Sequence, residues 1–144
     1  MNLKIAILIT CYNRLETTKE CLRHCFNSLS LIDNFDHDIF LLDDNSPDKT
    51  GEIIKKMYPS INVIYGNGKY FWSGGTRKLW ELASTKKNYD YYVWLNDDSI
   101  LSKNIEFSLL IVVIFLEELQ EKINIEAKII DAIFFILQNY LIIS

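Results

Sequence analysis

Two adjacent pairs of carboxylates, Asp43-Asp44 and Asp97-Asp98, are the groups best suited to chemistry in this sequence. An acid pair can hold a divalent cation through oxygen ligands. A site with few protein ligands and several phosphate or water oxygens suits Mg2+ or Mn2+. Such an ion neutralises a diphosphate and stabilises it as a leaving group. A second acid pair can accept hydrogen bonds from a base imide or from ribose hydroxyls. Tyr12 can stack on a nucleobase, and Gly74-Gly75 would let a backbone approach closely. A helix starting at those glycines would favour phosphate, with Arg77 adding a charge-assisted contact. Each residue also has a plainer reading. Asp favours turns and helix caps, which explains either pair alone equally well. Tyr12 can simply cover a helix start, and Arg77 can be a solvated helix residue. The chemical reading gains from both pairs ending strands of one sheet.

The elements that would bring these residues together are legible. Leu3 to Thr10 is a nearly continuous aliphatic run, as a strand buried on both faces requires. Leu15, Leu22, Cys25, Phe26 and Leu29 then recur at helical spacing through Ser30. Asp38 to Asp43 is a second buried strand. Ser46-Pro47-Asp48 predicts a helix start, with Ser as N-cap and Pro in the first position. Ile61 to Tyr65 is a third strand, and Gly66-Asn67-Gly68 a turn. A helix is predicted from near Gly74-Gly75, and Asp90 to Leu95 is a fourth strand. The order β-α-β-α-β-α-β predicts an α/β fold, a mostly parallel sheet flanked by helices. Ligands of such a sheet bind beyond the carboxyl ends of its strands, where the polar clusters fall.

From about Lys103 the text changes. Ile105 to Leu116 is almost wholly apolar and Ile129 to Ile143 mostly so, both shorter than the roughly 20 residues of a membrane span. Glu106, Glu117, Glu118 and Asp131 bound or interrupt them. A helical tail over 102–144 is expected, with peripheral membrane or partner-chain contact as its use. The formal net charge of -4 argues against nucleic acid as a partner. Met1 to Thr10 lacks the pattern of a signal peptide, so a cytoplasmic location is expected, with the membrane's inner face as the place of any tail contact. Cys11, Cys21 and Cys25 then read as reduced thiols packing a core rather than as metal ligands.

Four segments carry a family resemblance. They are Ile-Leu-Ile-Thr-Cys-Tyr-Asn-Arg, Leu-Leu-Asp-Asp-Asn-Ser-Pro-Asp, Trp-Ser-Gly-Gly-Thr-Arg and Tyr-Tyr-Val-Trp-Leu-Asn-Asp-Asp-Ser, in that order. Together they resemble the family 2 glycosyltransferases, with the GT-A (Rossmann-like) nucleotide-diphospho-sugar transferase fold. The resemblance covers about Leu3 to Leu101 and implies a nucleotide-sugar-binding subdomain over 1–101. It implies Thr10 and Tyr12 in the base pocket and Asp44 on the base. Asn96-Asp97-Asp98 resembles the family's Asp-X-Asp motif, which implies Asp97 near the ribose or diphosphate and Asp98 as ligand to Mg2+ or Mn2+. Gly75 and Arg77 are expected on the donor side.

The implied reaction moves a sugar from a nucleotide-diphospho-sugar donor to a hydroxyl of a glycan or glycolipid acceptor, as in polysaccharide assembly. It inverts the anomeric centre, with a carboxylate base on the acceptor. The sequence departs from the family after Leu101. The second half of the fold, with the acceptor site and the base, has no counterpart in Ser102–Ser144, and the catalytic residues stay unassigned. A truncated, inactive nucleotide-binding remnant or interaction module is the alternative expectation. A receiver-like signalling domain, which wants acids after the first strand, fits poorly with Thr10-Cys11-Tyr12 there.

Overall fold

The computed structural model describes residues 3–30 and 35–101. Seven elements follow one another: β1 (Leu3–Cys11), α1 (Leu15–Leu29), β2 (Phe35–Asp43), α2 (Thr50–Met57), β3 (Asn62–Tyr65), α3 (Phe71–Lys86) and β4 (Tyr91–Asn96). The strands form one sheet in the order β3-β2-β1-β4, and every pairing is parallel. The expected alternation of strands and helices is therefore the observed one. The expected helices within 102–144, with Glu106, Glu117, Glu118 and Asp131, lie outside the described residues. Among the described residues no helix is long and apolar enough to cross a membrane.

The aliphatic run of β1 is buried on both faces because helices cover both. Ile5, Ile7, Ile9 and Cys11 pack with Cys21, Leu22, Cys25 and Leu29 of α1 and Ile54 of α2. Ala6 and Leu8 pack on the other side with Leu79 and Ala83 of α3. Alternation along one strand thus feeds two cores. On the α3 side, Tyr89 donates to Asp38 Oδ2 at 2.7 Å, which ties the end of the last crossover to β2.

Two helix starts differ from expectation. The second helix begins at Thr50, after a left-handed Lys49 (φ 59°), not at Ser46-Pro47. Asp48 Oδ1 takes the backbone N–H of Thr50 at 3.0 Å and its hydroxyl as well, so Asp48 does the capping. Ser46 faces elsewhere: its hydroxyl oxygen accepts the N–H of Asn13 at 2.9 Å. The third helix begins at Phe71, four residues ahead of Gly75. The amides at its start are satisfied by a distant acid, described below.

Candidate functional site

Crossovers leave β1 in one direction toward β2 and β3, and the chain later returns on the other side to β4. The sheet order therefore reverses between β1 and β4, and a crevice opens beyond their carboxyl ends. Thr10 lies opposite Asn96 in the register, and Cys11 opposite Asp43. The loops Tyr12–Arg14, Asp44–Lys49 and Asp97–Ser99 consequently share one edge.

The acid pair after β2 is committed to the backbone. Asp43 is 3 % exposed; its Oδ1 accepts the N–H of Ser46 at 2.9 Å and its Oδ2 that of Gly51 at 2.7 Å. Gly51 is required there, because a Cβ would lie 2.6 Å from Asp43 Oδ2. Asp44, also buried, reaches across to the loop before α3. Its carboxylate accepts from the backbone N–H groups of Gly68 (2.8 Å), Tyr70 (2.9 Å) and Phe71 (3.1 Å). These would otherwise be donors without intrahelical partners. The loop they define turns at Gly68, whose φ of +80° suits a glycine, and is strained at Phe71, a bulky residue with φ +52°.

The pair after β4 is committed to a side chain. Arg14 Nη1 donates to Asp97 Oδ1 at 2.9 Å, and Arg14 Nη2 donates to Asp98 Oδ2 at 3.1 Å. One guanidinium fork thus spans both acids. Asp97 is 6 % exposed, whereas Asp98 and Arg14 are exposed on their outer sides. Burial raises the Asp97 carboxyl above the usual carboxylate range; the Arg14 charge opposes that rise and the Asp98 charge adds to it.

The turn carrying these acids is held from below by α1. Cys21 Sγ donates to the Asn96 carbonyl oxygen at 3.3 Å, and His24 Nδ1 lies 3.1 Å from the Leu101 carbonyl oxygen. Burial pushes the Cys21 thiol up to about 12, so it stays protonated and able to donate. Cys25 is likewise pushed up to about 12 by burial, and all three cysteines are buried free thiols.

The expected site residues therefore divide. Thr10, Tyr12, Asp44, Asp97 and Asp98 lie on the expected edge, and Tyr12 is 56 % exposed. Gly75 is not at the start of its helix. It is buried inside α3, and a Cβ there would lie 2.7 Å from Thr10 Cγ2, so the glycine lets the helix pack against the end of β1. Arg77 lies farther along the same helix. It sits past the first turn of α3, exposed, and donates to Glu81 at 3.2 Å. Both placements follow from the earlier start of that helix.

Arg14 joins these residues although its type and spacing alone do not mark it as a site residue. Its signal was its position just after the first strand, on the same edge as both acid pairs.

Among the described residues no group of three or more His, Cys, Asp or Glu side chains could hold a metal ion. Asp97 and Asp98 nevertheless fit a hard cation, because both already turn an oxygen toward one positive group. The remaining ligands would have to be phosphate or water oxygens, the pattern Mg2+ favours.

The model of the family described as "Glycosyl transferase family 2" matches residues 6–114. The chain belongs to that family. Among solved structures it is similar to the mannosyltransferase PcManGT from Pyrobaculum calidifontis in complex with GDP-Man and Mn2+. The identity is 12%, the TM-score 0.56, and the match covers 74% of this chain and 30% of that one. It also matches S. aureus TarS 1-349 at 20% identity and a TM-score of 0.48, over 81% of this chain and 33% of that one. No curated protein matches the sequence. The chain thus spans about a third of the length of these two structures. Its parallel α/β sheet is GT-A-like, the fold it shares with the mannosyltransferase.

Proposed function

We propose that the crevice between the ends of β1 and β4 is the donor site for a nucleotide-diphospho-sugar, serving inverting glycosyl transfer to an acceptor hydroxyl. The observation that carries this reading is the convergence of Arg14, Asp97 and Asp98 at the reversal point of a parallel sheet. In this reading Tyr12 stacks on the base and Thr10 lines its pocket. Asp44 holds the Gly68–Phe71 backbone that walls the pocket. A carboxylate has about four acceptor positions, so Asp44 keeps one beyond its three backbone bonds for the base imide.

Asp98, exposed beside the crevice, would hold Mg2+ or Mn2+, with buried Asp97 beside it facing the ribose or diphosphate. The chemistry an ion supplies there is charge neutralisation on the departing nucleoside diphosphate. The neighbouring structure with GDP-Man and Mn2+ supports a nucleotide-sugar donor and a divalent ion. Residues 1–101 form the donor subdomain in this proposal, working at the cytoplasmic face on a glycan or glycolipid.

Calorimetric titration of UDP and GDP into the full chain, with and without Mn2+, tests the reading. Binding that requires Mn2+ and disappears in Asp98→Asn is expected. Metal-independent binding, or binding untouched by Asp98→Asn, would overturn it.

A further inference from the structure

The cation now shared by Asp97 and Asp98 belongs to the protein itself. Arg14 is the N-cap residue of α1, and its backbone is fixed: its carbonyl oxygen accepts the N–H of Thr18 at 2.9 Å and the Thr18 hydroxyl at 2.8 Å. The neighbours on either side are pinned too. Asn13 N–H donates to Ser46 Oγ at 2.9 Å, and Leu15 N–H donates to Asp48 Oδ2 at 3.1 Å. The side chain is not fixed in the same way. It is 46% exposed, and among the described residues its side-chain hydrogen bonds go to the two acids. A rigid anchor thus carries a long arm whose charged end can leave without any backbone movement. Asp97 is buried, and the guanidinium beside it is the group that offsets the cost of placing a negative charge there. Two cations cannot share the pair without repulsion.

We infer that Arg14 is an internal counter-ion that competes with a divalent cation for the Asp97–Asp98 pair. The inference rests on the proposed metal role of Asp98. With no divalent ion bound, Arg14 keeps the acids paired and the Asp97–Ser99 turn ordered. When a divalent ion enters, the guanidinium swings out over the crevice, where it can meet the diphosphate that arrives with the ion. Metal affinity of the empty site is therefore held down by Arg14, which favours joint entry of ion and nucleotide over entry of the ion alone. A residue of merely structural importance would act in the opposite direction, since its loss would weaken metal binding.

The test is Mn2+ binding to the full chain without nucleotide, read from loss of the free Mn2+ signal in electron paramagnetic resonance. Arg14→Ala and Arg14→Gln are expected to bind Mn2+ roughly tenfold more tightly than the unaltered protein, the scale of one close, partly screened charge pair. Arg14→Lys, a point charge unable to fork across both acids, is expected between them. Asp98→Asn added to Arg14→Gln should remove the gain. Equal or weaker Mn2+ binding in both neutral variants, still dependent on Asp98, would overturn the competition and leave the metal reading standing. Absence of saturable Mn2+ binding in every version would overturn the metal reading, and the competition with it.

Discussion

The two acid pairs look alike in sequence and do opposite work in the structure. Asp43-Asp44 is buried and tied to five backbone N–H groups: Ser46 and Gly51 on Asp43, and Gly68, Tyr70 and Phe71 on Asp44. Asp97-Asp98 is tied to the guanidinium of Arg14. A backbone partner cannot be exchanged without unfolding the loop that carries it, whereas a side-chain partner on an exposed arm can. The first pair builds the edge of the sheet, and the second leaves an exchangeable charge on it. Identical residue types acquire these roles from what the fold delivers to them.

The largest expected effect that separates the pairs is on stability. Asp43→Ala orphans one buried and one half-buried backbone donor, at about 1–3 kcal/mol each, so roughly 3 kcal/mol of unfolding free energy should be lost. Urea titration measures this, and a loss under about 1 kcal/mol would erase the distinction. Asp44→Ala should cost about 2–3 kcal/mol, less per orphaned donor than Asp43→Ala, because its loop can partly turn its three amides to water. Hydrogen exchange at Gly68, Tyr70 and Phe71 should then accelerate ahead of the sheet amides. Gly75→Ala forces a Cβ onto Thr10 and should cost about 1–3 kcal/mol as overpacking, with Mn2+ binding preserved. Loss of Mn2+ binding at unchanged stability would restore Gly75 to the ligand side of the site.

A subtler contrast lies in pH. Asp48 belongs to the same scaffold as Asp43. Burial pulls its carboxyl up, but the Thr50 hydroxyl and the backbone N–H groups of Leu15 and Thr50 outweigh this and hold it below the usual range. Its contribution is present above the ordinary carboxylate value, about 3.9, and is lost as pH falls through the lowered folded value. Asp97 is shifted the other way by burial. Its contribution is present below about 3.9 and is lost as pH rises through the raised folded value. Unfolding of Asp48→Asn and Asp97→Asn, followed from acid to neutral pH, should diverge. The deficit of Asp48→Asn grows with pH, and that of Asp97→Asn shrinks. Parallel profiles would show that the two acids share one environment.

Much of this arrangement was legible in the residues. The aliphatic runs of β1 and β2 announce strands covered on both faces, and the polar text at strand ends announces the edge where ligands meet a parallel sheet. Helix starts were less legible. Ser46-Pro47-Asp48 carries the signature of a helix N-terminus, yet Ser46 is drawn to Asn13 on a neighbouring loop, and Asp48 caps from within the turn. Gly74-Gly75 resembles a phosphate-approach loop, but the glycine serves close packing on Thr10. Arg14 was visible as a residue and hidden as a partner, because its acids lie 83 and 84 positions away and only the β1–β4 pairing brings them together.

The most direct test of the division between the pairs is Asp98→Asn, measured for Mn2+ binding and for stability in the same preparation. The account predicts at least tenfold weaker Mn2+ binding, with unfolding free energy within about 0.5 kcal/mol of the unaltered protein, as for an exposed ion pair. Retained Mn2+ affinity, or a stability loss on the scale of Asp43→Ala, would contradict it.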